Sequence, residues 1–370
     1  MATKSKLKSG APPRGIGFWL GLNLLFCALS LLSYGSCLLK PSDFGFAGFF
    51  TFSVPIFIIV NFLFVFYWLF VKPVAALFSA VILVLGWKFV VATFGWSFSS
   101  DPEGGDFKVL TYNVNTFKGF GAKADLSGKT GRKMINWLLH ADADILCLQE
   151  FYNQPGSDDF NAAKKLKAVG YKHHFFSRAL RTGWNASLGM ATFSRFPIVH
   201  SEIVRKTPKS NNQILLTDIK LPSGTIRVLN VHLQSNFLKE SEIEESKQGE
   251  NVSVNVKSIW RKLTNGYTVR NDQAQLLLQT ISNSPHPVLL AGDLNETPYS
   301  YTYHQLNQVL DNSFEKAGSG FGFTYNGYIP FLRIDNLFAD RQFEVRIFET
   351  HNHVPYSDHF PVSAAYKRKK

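Results

Sequence analysis

The chain has 370 residues, 18% charged and 45% hydrophobic, with a formal net charge of +12, which excludes a disordered tail, a collagen-like fibre and a disulfide mini-scaffold. These averages conceal two unlike parts. Residues 1–100 hold seven Lys/Arg and one acid, Asp43, whereas the other 270 hold 32 basic and 26 acidic residues, a net of +6 and an ordinary soluble composition.

Gly17 to Leu39 is a run of 23 residues without a charge, against the roughly 20 that cross a bilayer's hydrocarbon core. A second uncharged run covers 44–71 and ends at Lys72-Pro73, and a third covers 74–98, interrupted at Lys88. The sequence therefore predicts spans over 17–39, 44–71 and 74–98. The third is the weakest, because Lys88 must snorkel or the span must tilt. A cleaved signal peptide is the competing reading of the first run, but its apolar stretch is longer than a typical h-region. Lys4, Lys6, Lys8 and Arg14 precede the first span and Lys72 follows the second, while the segment after the third is acidic (Asp101, Glu103, Asp106). Basic flanks stay on the cytoplasmic side, so three spans put the N-terminus inside and residues 100–370 outside. Two spans would leave those residues in the cytoplasm.

Ser97–Asp106 (SFSSDPEGGD) reads as a linker, with 99–106 as its core, and a strand-rich domain over 107–370 follows. Short β-branched and aromatic runs predict strands over 108–115, 145–150, 173–177, 189–194, 214–220, 225–234, 288–293, 333–338 and 360–366. Helical spacing appears over 132–140, 162–169 and 269–282, for example at Ala274, Leu277, Leu278 and Ile281. Many strands with few intervening helices argue for a mixed, layered α/β domain rather than a doubly wound parallel sheet. Asn236–Asn255 is polar and acidic and reads as an exposed loop, and the Lys367–Lys370 tail as a solvated end. Cys27 and Cys37 fall in apolar runs and Cys147 in a strand. Three such cysteines build no disulfide framework.

Polar residues cluster at the ends of the apolar strands, where a rigid scaffold can hold a site open to solvent. VLTYNVN carries Asn113 and Asn115. ILCLQE ends in Glu150, a carboxylate suited to a hard divalent cation. NVH places His232 after a hydrophobic run, and GDLN puts Asp293 and Asn295 at i and i+2, on one face of a strand end. RID offers Asp335, and SDH offers Asp358 and His359, which both enter one cleft only where a strand is just beginning. Each residue alone has an ordinary structural reading as a strand terminus or turn former. Together they make an inventory for metal-assisted phosphate-ester hydrolysis.

LTYNVN, DILCLQE, GMATFSRFPI, LNVHLQS, GDLNETP, RIDNLF and SDHFPV, in this order, resemble the endonuclease/exonuclease/phosphatase superfamily over about Lys108 to Tyr366. That superfamily includes DNase I, abasic-site endonucleases, neutral sphingomyelinases and inositol-polyphosphate 5-phosphatases. The whole chain is similar to its membrane-anchored bacterial members. The resemblance implies a DNase I-like four-layer α/β sandwich of two packed mixed sheets and, for a membrane-anchored bacterial member, localisation in a bacterial inner membrane; the charge asymmetry above puts the catalytic domain on its extracytoplasmic side.

By motif, the resemblance implies that Glu150 binds Mg²⁺ or Mn²⁺, with Asn113 on metal or phosphate. His359 contacts the scissile phosphate or activates water, and Asp335 holds its ring nitrogen. Asp293 and Asn295 orient water and phosphate, Asp293 being the rival base. His232 protonates the leaving oxygen, as in the DNase-like and sphingomyelinase-like branches, and Asp358 serves the metal or His232. The implied activity is that of a phosphodiesterase or endonuclease. The alternatives are an inactive membrane-held binding or scaffold protein for anionic ligands, or a phosphomonoesterase of inositol phosphates or lipids. Expected partners are the membrane and a phosphate-ester substrate, nucleic acid or phospholipid headgroup, with no obligate protein partner. A domain of net charge +6 fits any polyanion, and Trp184, Phe321, Phe323, Tyr325 and Tyr328 can stack on a base, touch lipid or simply pack.

Overall fold

A computed structural model describes residues 15–40, 43–44, 47–97, 105–117, 127–181, 186–206, 212–235, 252–327 and 329–369. The basic cluster Lys4–Arg14, most of the expected linker (98–104) and most of the polar 236–255 segment lie outside these residues, as do Trp184, Tyr328 and Lys370.

Helix α1 (Ile16–Ser36) is followed by α2 (Val54–Val71), which a short 3-10 turn at Thr51–Ser53 extends at its start. Both are long and apolar enough to cross a membrane; at 1.5 Å per residue, 21 residues reach about 31 Å, the thickness of a hydrocarbon core. The third expected span is not one straight helix. It forms α3 (Pro73–Leu85) and α4 (Trp87–Thr93), bent by 73° at Gly86. Gly86 abuts the Tyr34 ring so closely that a Cβ there would sit 2.4 Å from it, so the α1 tyrosine fills the inside of the bend.

A buried polar seam joins the three helices. Trp68 Nε1 donates to Asn23 Oδ1 at 3.0 Å, Asn23 Nδ2 to Ser79 Oγ at 2.6 Å, and Asn61 Nδ2 to Ser30 Oγ at 2.8 Å. In an apolar bundle such hydrogen bonds fix which helix faces meet. Trp19 packs on Tyr67, and Ser33 bonds Ser53 at 2.8 Å, so α2 runs antiparallel to α1.

Two six-stranded mixed sheets follow. The first contains β1 (Phe107–Asn113), β2 (Ile145–Asn153), β3 (His173–Arg181) and β4 (Ser187–Ser194). The second contains β5 (Ile198–Lys206), β6 (Gln213–Leu221), β7 (Gly224–His232), β8 (Val288–Asp293) and β9 (Asp335–Ala339), with Asp311–Asn312 at its edge. Strands β10 (Phe343–Thr350) and β11 (Val362–Arg368) return to complete the first, giving the orders β10-β11-β1-β2-β4-β3 and Asp311–Asn312-β9-β8-β7-β6-β5. Each sheet has one parallel pair, β1 with β2 and β7 with β8, flanked by antiparallel strands.

Alternation along the strands sorts side chains into layers. Val109, Ile145, Val228, Leu289, Ala291, Leu337 and Val362 meet between the sheets. Leu110, Leu146 and Leu148 face outward onto α5 (Lys129–Leu139) and α6 (Ala162–Ala168) through Met134, Ile135, Leu138 and Leu166. On the other side Leu229, Val231 and Leu290 pack on α7 (Val252–Ser282) and α8 (Tyr301–Val309) through Leu277, Tyr303 and Leu306. The result is the helix–sheet–sheet–helix sandwich.

The long helix α7 corrects the expectation of a loop to Asn255 and a helix only from Val269. Leu263, Tyr267, Arg270, Ala274 and Leu277 are all buried, spaced four, three, four and three apart on one helical face. A charged residue in the middle of the stripe disguised it. The edge strands β5 and β10 were not expected, because each turns much of its surface to solvent and carries polar residues there (Glu202, Arg205, Glu344).

Candidate active site

The strand order brings the expected residues to one end of the sandwich. Asn113 ends β1 and Glu150 lies on β2, so both sit at the C-terminal end of the parallel pair of sheet one. His232 ends β7 and Asp293 ends β8, paired with each other in register at the same end of sheet two. Asp335 opens the antiparallel β9 opposite Asp293. Asp358 and His359 precede β11, whose Val362 pairs with Thr111 of β1. His359 itself bridges Tyr325 outside any named strand.

Local backbone distortions aim the side chains. Glu150 has φ +50°, and the β2–β4 register slips between Leu148 and Phe151. Leu148 and Phe151 both belong to the outer core, three positions apart, so a bulge inserts one extra residue and frees Glu150 from the ladder. Asn295 has φ +52°; it lies beyond β8 in a turn, not on a continuing strand face as the i, i+2 spacing suggested. Its backbone N–H bonds Asp293 Oδ1 at 2.8 Å and its Nδ2 bonds the Leu233 carbonyl at 3.0 Å.

At the centre stands Asp293, 1% exposed. Its Oδ2 accepts from Asn113 Nδ2 at 3.2 Å and lies 3.6 Å from His232 Nε2 and 3.8 Å from His359 Nε2. His359 donates Nδ1–H to Asp335 Oδ2 at 2.8 Å. Thr324 Oγ1 accepts the backbone N–H groups of Ile334 and Asp335, both at 3.0 Å, and the Tyr325 ring lies edge-on to the imidazole. Asn113 accepts from the Asn115 N–H through Oδ1, so both ends of its amide, expected on metal or phosphate, are engaged within the protein. Asp358 accepts from Asn115 Nδ2 at 3.0 Å and from Ser357 Oγ at 3.1 Å.

Burial raises the pKa of the Asp335 carboxyl. Burial alone would disfavour a charged His359, but the carboxylates of Asp335, Asp293 and Asp358 outweigh it and hold that pKa well above the ordinary imidazole value. Burial also raises the pKa of Glu150, with His232 opposing. The Glu150 carboxylate accepts no hydrogen bond among the described residues, and His232 Nε2 is 4.0 Å away. A bulge-presented carboxylate without protein donors, near a second carboxylate, is a hard oxygen set that fits a divalent cation. Asp293, Asp335 and His359 also offer ligand atoms within 4.8 Å of one another, but the 2.8 Å hydrogen bond already commits two of them to each other.

Beneath the cleft, Gln149 Nε2 bonds Thr111 Oγ1 at 3.0 Å and Asn230 Oδ1 at 2.8 Å, tying the two sheets together one layer below Glu150 and His232. Arg270 of α7 supports the site from the side through Glu296, next to Asn295. Thr324, Arg270 and Glu296 were not singled out from the sequence. A Thr in an aromatic segment and an Arg on a helix carry no chemical signature until the fold brings them to the site.

The fold and this cluster define a DNase I-like phosphoesterase scaffold. The Endonuclease/Exonuclease/phosphatase family model matches residues 110–359, and the chain belongs to that family. A second model, Domain of unknown function (DUF8431), matches residues 16–93. Among solved structures, an endonuclease/exonuclease/phosphatase from Beutenbergia cavernae DSM 12333 is similar with TM-score 0.52 and 20% identity, covering 71% of each chain. A functionally unknown conserved protein from Enterococcus faecalis V583 is similar with TM-score 0.50 and 17% identity, covering 71% of this chain and 100% of its own. No curated protein is similar enough to this chain to count as a match.

Proposed function

We propose that this chain is a membrane-anchored, divalent-metal-dependent hydrolase of phosphate esters, acting as a phosphodiesterase or endonuclease. The observation that carries the reading is the convergence of two imidazoles on one carboxylate, His232 at 3.6 Å and His359 at 3.8 Å from Asp293 Oδ2. That arrangement lets a proton leave water and reach a leaving oxygen within one cleft.

Mg²⁺ or Mn²⁺, held by Glu150 with Asp358 beside it, would neutralise charge on the phosphate oxygens. The chain's own groups do the rest. His359, kept as imidazolium by the surrounding carboxylates, donates Nε2–H to a phosphate oxygen. Asp293, fixed by Asn113 and by the Asn295 N–H, accepts a proton from the attacking water, whose oxygen bonds phosphorus as the P–O ester bond breaks. His232 gives a proton to the departing alcohol oxygen, and Asn295 orients the phosphate.

The anchor crosses three times. Helix α1 leads to the sandwich, α2 leads away to Lys72, and α3 returns, so residues 107–370 lie opposite the basic N-terminus, on the extracytoplasmic side of a bacterial inner membrane by the positive-inside rule. Support comes from the antiparallel α1–α2 pairing and from α4, where Thr93 Oγ1 bonds Tyr299 Oη at 2.9 Å.

The test is hydrolysis of bis(p-nitrophenyl) phosphate by the full chain in detergent. Turnover with Mg²⁺ or Mn²⁺ that EDTA abolishes supports the reading. Binding of polyanions without turnover would make the protein a scaffold instead.

A further inference from the structure

A cavity of about 500 Å³ lies between the start of α2 and the sandwich, within the size range of ligand sites. Phe52, Ile56 and Ile59 line it from the membrane side, and Phe323, Ile329 and Phe331 from the segment leading to β9. Ile56, Ile59 and Phe331 are 58, 51 and 72% exposed. The apolar lining therefore continues onto the outward face of α2, the surface that lipid chains would cover.

The wall adjoins the candidate site along the chain: Phe323 precedes Thr324, which accepts the Asp335 backbone N–H, and Thr297 of the lining lies two residues after Asn295. Among the described residues, Arg333 is the one charged residue of the lining, and it is buried. It donates Nη2 to the Ala92 carbonyl at 2.7 Å and its guanidinium lies over the Phe314 ring at 3.8 Å, so the surface this wall offers a ligand is apolar.

We propose that the cavity receives a hydrocarbon chain of an anionic membrane phospholipid, whose headgroup phosphate is thereby presented to Asp293 and His359. Substrate then enters by lateral diffusion within the leaflet rather than from water. A nucleic acid would find a single cation along this wall and has no chain to fill it. A lipid buries its methylenes there, each adding to affinity. The inference rests on the phosphodiesterase reading and on α1–α3 lying in a bilayer.

The full chain in vesicles of phosphatidylcholine and phosphatidylglycerol is assayed with two p-nitrophenyl phosphodiesters that differ only in the second ester group, methyl or hexadecyl. The hexadecyl ester is expected to show kcat/KM at least about ten-fold higher, and Phe323→Ala with Phe331→Ala to bring that ratio toward one. Ile329→Ser serves if the double variant fails to fold. Equal kcat/KM in the wild type, or a ratio untouched by the variants, overturns the chain site. If neither ester is turned over, the phosphodiesterase reading fails, and photolabelling with a diazirine-chain phosphatidylglycerol judges the cavity separately. Crosslinks within 297–299 and 323–332 support it, whereas crosslinks confined to α1–α3 overturn it.

Discussion

Arg270 donates Nε–H to Glu296 Oε1 at 2.6 Å with both side chains buried, and its Nη1 donates to the Gln234 carbonyl at 2.7 Å. The pair links α7 to the turn that follows Asp293 and carries Asn295. Removing one partner strands a charge in the interior and costs about 3–5 kcal/mol, whereas an apolar replacement of both is far milder. Glu296→Ala is expected to lower the thermal midpoint of the detergent-solubilised chain clearly, and Arg270→Met/Glu296→Leu to recover part of it. A double variant as unstable as the sum of the singles would mean that the two do not act as a pair.

The His359–Asp335 hydrogen bond predicts non-additive kinetics. Asp335→Asn removes the acceptor that fixes the ring, so its loss of kcat should approach that of His359→Ala, and the double variant should lose little more. Multiplying losses would show that the residues work independently.

For Glu150 the readout is metal dependence. Glu150→Gln keeps the shape and removes the charge, so the Mg²⁺ concentration for half-maximal activity should rise at least about ten-fold while the fold persists. An unchanged titration in a folded variant would remove Glu150 from the metal site.

Gly292 sits at φ +147°, and a Cβ there would lie 1.9 Å from the Val231 carbonyl oxygen. Gly292→Ala must therefore push β8 from β7 where His232 and Asp293 face each other. A loss of about 1–3 kcal/mol from strain alone, accompanied by lost activity, is the expected outcome of denaturant unfolding and assay. A variant with wild-type stability would contradict the close approach.

Topology is checked by reporters fused after Asp106 and at Lys72. Alkaline phosphatase activity at the first and cytoplasmic fluorescence at the second match three crossings. The reverse pattern, or fluorescence at both, excludes them.

Most of the fold was legible because buried strands such as 145–150 and 288–293 are continuous apolar runs, and because the chemistry-bearing residues stand at their ends. What escaped did so for physical reasons. The α7 stripe runs through Arg270, whose charge is met by Glu296, 26 positions away. The break at Gly86 depends on Tyr34 from another helix. Glu150 was recognised by type, but the bulge that presents it arises from pairing with β4, which no local pattern encodes. The Asn23, Asn61 and Ser79 seam has no local pattern, because its partners lie on different helices.

Strand β11 lies between β10 and β1 and brings His359 to the cleft from near the far end of the chain. During synthesis the helices and most of both sheets are made before this strand exists. A nascent chain that stops short of this strand carries Glu150, His232 and Asp293 without His359, which is seated only when Val362–Arg368 pairs with β1. Under the proposed function, activity is thereby deferred until translation has passed this point.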